Sequence, residues 1–222
     1  MDFREIKALV RKGENDFLEF KRKASFPEKI VKEIVAFANS KGGFLLLGVD
    51  DNGTIPGLRY AEEEAFALET AIHKFCYPRI RYKSDMVDIS NKRSVIWYQI
   101  FESRKKPHFV LNAGVNGGKK AYIRLRDKSI QASREIIEIL KRSRSKKGIR
   151  FSFGEKEKLL MEHLEDKGSI SVEDFAGLAG ISRAAASGTL VRLVLANVLR
   201  VEPAEDKDHY HVNKHHAESL VS

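Results

Sequence analysis

The residues whose types could do chemistry lie close together near the start of the chain. Acidic, basic and glycine residues recur there at short spacing: Glu14, Glu19, Lys21, Gly42, Gly43, Asp50 and Asp51. Carboxylates and a lysine can bind cations, donate or accept protons, or pair with each other. The alternative is ordinary structure, because Glu19 and Lys21 could form a surface ion pair along one strand face. Asp-Asp-Asn-Gly is likewise a common turn sequence.

One helix and two strands must position these residues. The pattern predicts a strand over 17–21, a helix that begins at Pro27, and an apolar central strand over 44–49. The glycine pair ends the helix, and the central strand ends directly at Asp50. We therefore expect the acidic residues and the lysine to meet at one helix-and-strand unit.

The remainder of residues 1–142 completes a mixed α+β domain. The predicted elements are helices over 2–12, 61–76 and 130–142, and strands over 79–88, 93–101, 109–111 and 121–126. Several hairpins and few crossover helices argue against a regular βαβ repeat.

A second domain is predicted over 154–214, after a basic linker over 143–153 and before a tail over 215–222. Helical spacing over 155–165, 171–179 and 183–197 is followed by two short strands separated by an acidic loop. Three helices and a hairpin are typical of a winged helix-turn-helix. Arg183, Ser187 and Arg192 are candidates for the exposed face of its recognition helix. The acidic loop would repel phosphates, so dimerisation or partner binding remains open for this domain.

Charge is distributed unevenly along the chain, which carries a net charge of +9. Residues 1–150 hold 32 Lys and Arg against 19 Asp and Glu, whereas residues 151–222 hold 8 against 12. A basic surplus of this size attracts polyanions such as DNA and RNA. A basic surface that is only solvated and has no nucleic-acid partner would have the same charge composition. A single cysteine, ordinary globular composition and the lack of a long apolar run favour a cytoplasmic protein without a membrane span.

Residues 14–140 resemble the Schlafen-type Alba-like domain. The positions that carry the resemblance are Glu14, Glu19-Phe20-Lys21, Ala36-Phe37-Ala38-Asn39-Ser40, Gly42-Gly43, Gly48-Val49-Asp50-Asp51, Gly53, Lys106-Pro107-His108 and Tyr122-Ile123-Arg124. Bacterial and archaeal members often carry a helix-turn-helix module behind this domain and are described as DNA-binding proteins or transcriptional regulators. The resemblance thus implies a nucleic-acid-binding regulator, with a homodimer as its expected assembly because Alba-type modules commonly pair.

The resemblance also implies a possible catalytic site. Vertebrate relatives cleave structured RNA with an acidic triad and a divalent metal, and the triad corresponds here to Glu14, Glu19 and Asp51, with Lys21 as a nearby positive charge. Three carboxylates would hold Mg²⁺ or Mn²⁺, which activates water and neutralises charge on the phosphate. Those relatives also have a Cys and His zinc site and two lobes, whereas this chain has one cysteine and one lobe.

Three functions follow as hypotheses. The first is a nucleic-acid-binding regulator, with candidate contacts at Lys21, Arg22, Lys23, Lys105, Lys106, Arg124, Arg126, Arg183 and Arg192. The second is a metal-dependent endoribonuclease, and the third is a protein-interaction adaptor. An ATPase is excluded, because neither glycine pair has the spacing or the hydroxyl of a phosphate-binding loop.

Overall fold

The computed structural model describes residues 1–113, 117–143 and 153–213. The chain divides into two compact units, Met1–Gln131 and Ala132–Ser222, called here the first and second unit.

The first unit contains three helices and nine strands within its described residues. They are α1 (Phe3–Val10), β1 (Leu18–Lys21), α2 (Pro27–Asn39), β2 (Gly43–Leu47), α3 (Ala61–Phe75), β3 (Cys76–Tyr77), β4 (Tyr82–Ser90), β5 (Arg93–Ile100), β6 (Phe109–Ala113), β7 (Gly118–Lys120), β8 (Tyr122–Leu125) and β9 (Lys128–Gln131). The main sheet has the order β1-β2-β5-β4, with β1 and β2 parallel and the other neighbours antiparallel. Smaller sheets join β3-β6-β7 and β8-β9.

Helices cover both faces of the main sheet. Alternate residues of β2 point to opposite sides, so Leu46 packs with Phe20 and with Ile6 of α1. Leu45 and Leu47 instead join the larger core beneath α2 and α3. Burial on both faces explains why β2 has the continuous apolar sequence that predicted a central strand.

The connection between α2 and β2 requires glycine. A Cβ atom on Gly43 would lie 2.8 Å from the Phe17 carbonyl oxygen and closer still to the Phe37 ring. Gly42 has a φ of +77°, which favours glycine over residues with a side chain. This tight turn brings α2 directly over the parallel pair β1 and β2.

The second unit contains α4 (Arg134–Arg142), α5 (Glu155–Lys167), α6 (Val172–Leu178), α7 (Arg183–Leu195), β10 (Leu199–Glu202) and β11 (His209–Val212). Its core gathers Leu160, Phe175, Leu190 and Tyr210. The three helices and the hairpin predicted from the sequence are all present, and Ile170 adds a bridge to β11. Among the described residues, no single helix is long and apolar enough to cross a membrane; α6 and α7 are long and apolar enough only when taken together, and they meet at a bend of 113°.

The helix predicted over 130–142 differs from the structure. Ile130 belongs to β9 and pairs with Ile123, and the helix begins only after Ser133, whose Oγ accepts a hydrogen bond from the Ile136 amide at 3.1 Å. This helix, α4, packs against α7 and belongs to the second unit, so the division falls at residue 131 and not at 142. Of the predicted linker and tail, only residues 143 and 153 lie within the described part of the chain.

Candidate functional site

A buried charge cluster lies between β1, α2 and β8. Arg124 has its Nη1 atom 2.8 Å from Glu19 Oε2 and 3.1 Å from Glu33 Oε2. Its Nη2 atom donates to the Asn15 carbonyl oxygen at 2.8 Å, and its guanidinium lies 4.7 Å from the Phe37 ring centroid. Relative exposure is only 7% for Arg124, 5% for Glu19 and 4% for Glu33. We call Glu19, Arg124 and Glu33 the buried triad.

The buried triad corrects one predicted role. Arg124 was a candidate phosphate contact, but its guanidinium is enclosed by two carboxylates and cannot reach an external ligand. The neighbours Ile123 and Arg124 point to opposite faces of β8 and are both buried, so both faces are covered there, and the Arg124 side chain lies against Glu33 of α2.

Lys21 is also committed to internal partners. Its Nζ atom donates to Glu19 Oε1 and, at 2.8 Å, to the Phe20 carbonyl oxygen. Burial works to lower the pKa of Lys21, but the hydrogen bond and charge of Glu19 outweigh it and raise the pKa. Lys21 is therefore held charged beside Glu19 and is half-buried. The ion pair along β1 that the sequence offered as an alternative is present, but it is not a surface pair, because Glu19 is buried.

Glu14 precedes β1 and hydrogen-bonds to its backbone. Its Oε1 atom accepts a hydrogen bond from the Phe20 amide at 2.9 Å. Burial raises the pKa of Glu14; the Phe20 hydrogen bond opposes this shift, while the charges of Glu19 and Asp51 add to it. Glu14, Glu19 and Asp51 therefore share one electrostatic neighbourhood, although Asp51 itself is exposed on the turn after β2.

The three carboxylates do not fit a divalent metal ion in this arrangement. Among the described residues, no three Asp, Glu, His or Cys side chains are grouped so that they could hold a metal. The donor chemistry gives the reason, because both oxygens of Glu19 already accept from cations, one from Lys21 and one from Arg124. Metal ligation would require this carboxylate to leave at least one of them.

Several predicted phosphate contacts of the first unit are exposed. Arg22, Lys23, Lys105 and Arg126 all project to solvent. Arg22 approaches Asp50 at 3.5 Å with 70% of its side chain exposed, a geometry that contributes little to stability. Lys106 differs, because its Nζ atom lies 2.5 Å from the Ser40 carbonyl oxygen and 2.7 Å from Glu102 Oε1.

The predicted base-reading residues of the second unit have internal partners. Arg183 donates to Glu173 at 2.8 Å and to Glu135 of α4 at 3.3 Å. Ser187 donates to the same Glu135 carboxylate at 2.7 Å, and Glu135 is 4% exposed. The predicted recognition face of α7 is thus not free, because α4 packs along it.

Arg192 likewise has an internal contact, since its Nη2 atom lies 3.1 Å from Thr189 Oγ1. Of the four histidines that the sequence groups near the end of the chain, His209 and His211 lie in β11, and the other two lie outside the described residues.

Sequence reasoning did not single out Glu33 as part of the cluster. The sequence did contain an indication: the spacing of Glu33 from Ile30 and Phe37 places its carboxylate on the buried face of α2. A charged residue in that position needs a buried partner, and Arg124 and Ser129 supply it. Burial, followed by the charge of Glu19, raises the pKa of Glu33.

Asn39 has a structural role that the sequence motif did not reveal. Its Nδ2 atom donates to the His108 and Tyr122 carbonyl oxygens, each at 2.9 Å, and its Oδ1 atom accepts from the His108 amide at 2.7 Å. The end of α2 is therefore fixed to β8 and to the segment before β6.

Comparison with known proteins identifies the family. The family model for Schlafen, AlbA_2 matches residues 14–133, more than half of the chain. The chain therefore belongs to the Schlafen AlbA_2 family, as its motifs predicted. No curated protein matches it.

Two solved structures resemble parts of this fold. One is the N-terminal domain of a RecG-related protein from Nitrosomonas europaea, at 23% identity over 54% of this chain and 88% of that one, with a TM-score of 0.42. The other is the DIP2311 protein from Corynebacterium diphtheriae, at 15% identity over 95% of this chain, with a TM-score of 0.46. This chain spans 37% of the length of DIP2311.

Proposed function

We propose that this protein binds nucleic acid, mainly through exposed basic residues of its first unit. The observation that carries the proposal is the charge of that unit, which has 25 Lys and Arg against 17 Asp and Glu over residues 1–131. Residues 132–222 hold 15 against 14, so the surplus belongs to the first unit under the structural division as well. Membership of the Schlafen AlbA_2 family supports a nucleic-acid-associated role.

The location of the acidic groups strengthens this proposal. Glu19 and Glu33 are buried and paired with two cations, Arg124 and Lys21, so they contribute little negative potential outside the protein. Arg22 and Lys23 lie exposed directly after β1, and positive charges at an accessible strand end attract phosphates over a distance limited by salt screening.

The test is the salt dependence of binding, measured by fluorescence anisotropy with labelled DNA and RNA. Each phosphate contact contributes a slope of about −0.7 to −0.9 in log affinity against log salt. Lys23→Gln and Arg126→Gln should each weaken binding and reduce the slope. Lys158→Gln removes an exposed lysine of the second unit and serves as the matched control, with no expected change. Absence of binding to any polyanion at low salt would refute the proposal and favour the adaptor hypothesis.

A regulatory role and a homodimer are part of the same proposal. The last three helices of the second unit are followed by a hairpin, an order typical of a winged helix-turn-helix, and such a module would direct the protein to a target. Because Arg183 and Ser187 are engaged by Glu135, we assign the main phosphate contacts to the first unit.

The metal-dependent endoribonuclease remains a prediction that the geometry favours less, since both oxygens of Glu19 have cationic partners. Incubation with transfer RNA and Mn²⁺ or EDTA decides between the two. Metal-dependent cleavage that is lost in Glu14→Gln would establish the enzyme, whereas binding without cleavage would leave a binding protein.

A further inference from the structure

A cleft separates the start of α3 from the hairpin between β4 and β5. Its volume is about 940 Å³, at the upper end of the range for small-molecule sites. The α3 wall presents Arg59, Tyr60 and Glu63, and the hairpin wall presents Met86, Ile89 and Lys92. None of these residues has a role in the functions considered above.

The walls of this cleft are fixed to each other. Leu58 and Ser94 exchange two backbone hydrogen bonds, at 2.8 and 3.0 Å. Arg93 Nη1 donates to the carbonyl oxygens of Pro56 and Gly57 at 3.2 and 3.1 Å. A Cβ atom on Gly57 would lie 2.5 Å from Ile89 Cδ1, so the loop before α3 touches the hairpin. The cleft is therefore a preformed feature of the fold.

The chemistry of the lining suits one nucleobase with its phosphates. Tyr60 is 62% exposed and offers an aromatic face, and Met86 on the hairpin wall is 41% exposed. Within the described part of the chain, the side-chain cations of Arg59 and Lys92 have no ion-pair partner, so both are available to phosphates. The lining also contains three carboxylates, Glu62, Glu63 and Asp88. Carboxylates accept hydrogen bonds from the amino groups of bases and repel phosphates, so they favour a base inside the cleft with its phosphates at Arg59 and Lys92.

The cleft adjoins the basic strand end used in the proposed function. Gly57 donates its amide to the Gly48 carbonyl oxygen at 3.0 Å, and Gly48 donates to the Lys21 carbonyl oxygen at 2.8 Å. The Glu64 carboxylate of α3 accepts from the Ala24 amide at 2.5 Å. Arg22 and Lys23 follow β1, and the cleft lies at the hairpin of β4 and β5, so both lie at the same end of the main sheet, with β2 between β1 and β5.

We infer that this cleft receives an unpaired base of a single-stranded nucleic acid, stacked on Tyr60. The phosphates next to this base contact Arg59 and Lys92, and the strand continues along this end of the main sheet to Arg22 and Lys23. This inference rests on the proposed function and deepens it by naming the substrate class. A duplex keeps its bases stacked inside, so it cannot place one in the cleft without opening.

The test compares the full-length protein with variants, using labelled single strands of about 12 nucleotides and the corresponding duplex. Tyr60→Ala should weaken single-strand binding about tenfold or more and leave duplex binding almost unchanged, because stacking on an aromatic side chain is lost. Tyr60→Phe should retain the affinity. The matched control is Phe66→Ala on the same helix, since Phe66 is 75% exposed and does not line the cleft. A strand containing 2-aminopurine should lose fluorescence on binding the original protein and not on binding Tyr60→Ala.

Three outcomes are distinguishable. Single-strand preference with selective loss in Tyr60→Ala supports the inference. Binding by the original protein with equal affinities for Tyr60→Ala and Phe66→Ala overturns it and leaves the proposed function intact. Failure to bind either the single strand or the duplex at low salt refutes both this inference and the proposed function. Far-ultraviolet circular dichroism establishes that each variant is folded.

Discussion

Replacing Arg124 by methionine should strongly destabilise the first unit. The change removes the cation of the buried triad and leaves two carboxylates that are 5% and 4% exposed. Removing one partner of a buried ion pair costs about 3–5 kcal/mol, because the remaining charge is uncompensated. Lys21 still pairs with Glu19, so we place the expected loss at the lower end, about 3 kcal/mol.

Urea unfolding followed by tryptophan fluorescence measures this loss directly. The chain has one tryptophan, Trp97 in β5, so the signal reports the first unit. Arg126→Met is the matched control, since Arg126 is exposed two residues further along and its replacement should change stability by less than about 0.5 kcal/mol.

The stability lost in Arg124→Met should also depend on pH, and the pKa of Glu33 determines the direction of this dependence. Burial, followed by the charge of Glu19, raises the pKa of Glu33 in the folded protein. An acid with a raised folded pKa stabilises the protein below its unfolded pKa, and this contribution is lost as pH rises through the folded pKa. Without Arg124 the folded pKa rises further, so the deficit of the variant should be smaller at about pH 5 than at about pH 7.5.

A second variant tests the cause of the loss. Combining Arg124→Met with Glu33→Gln removes the carboxylate that has lost its cation and leaves Glu19 paired with Lys21. This double variant should recover most of the lost stability, because no uncompensated ion remains. The reasoning would be refuted if Arg124→Met lost less than about 1 kcal/mol, with no dependence on pH and no difference from Arg126→Met. In that case the Arg124 guanidinium would not be enclosed by two carboxylates.

Three further predictions concern other sites. Glu14→Gln should be at least as stable as the original protein at neutral pH, because burial raises the pKa of Glu14 and so disfavours its charged form. The difference in stability should fade as the pH is lowered. Lower stability of the variant at every pH, measured by urea unfolding, would contradict this prediction. Gly43→Ala should cost about 1–3 kcal/mol in the same assay, because the new methyl group meets an aromatic ring of α2, whereas Gly177→Ala meets open space and should not destabilise. Glu135→Ala should speed hydrogen exchange of the α7 amides, because it removes an acceptor that two donors share. Glu138→Ala is the control and should leave exchange unchanged, because the Glu138 side chain is 44% exposed and pairs only with Lys141 of its own helix. Equal exchange rates in the two variants would show that α4 does not support α7.

Local patterns predicted the scaffold of the candidate site well. β1, α2 and β2 have their predicted positions because strand alternation, the proline at the helix start and the glycine pair all act over a few residues. The junction of β9 and α4 was predicted wrongly, since Ile130 lies seven residues before Ile137, which is a helical spacing, although a hydrogen-bonded cap at Ser133 separates them. A periodic pattern alone does not show where a hairpin ends.

The candidate site was predicted only in part, because burial of charge is a tertiary property. The neighbourhood of Glu14, Glu19 and Lys21 follows from their closeness in sequence and was anticipated. Arg124 is distant in the chain, and an arginine in an alternating strand is usually expected to face solvent. Its inward orientation depends on α2 placing Glu33 opposite it, which the sequence of β8 cannot reveal.

The position of α4 defines which part of the chain can be exchanged as a module. The family match ends at residue 133, just after the division at residue 131, so the inherited segment and the physical unit end at nearly the same place. A fragment cut at residue 142 would carry α4 away from α7 and expose Ile136 together with the carboxylate of Glu135. Fusions and domain swaps that join partners after Gln131 instead leave both cores whole.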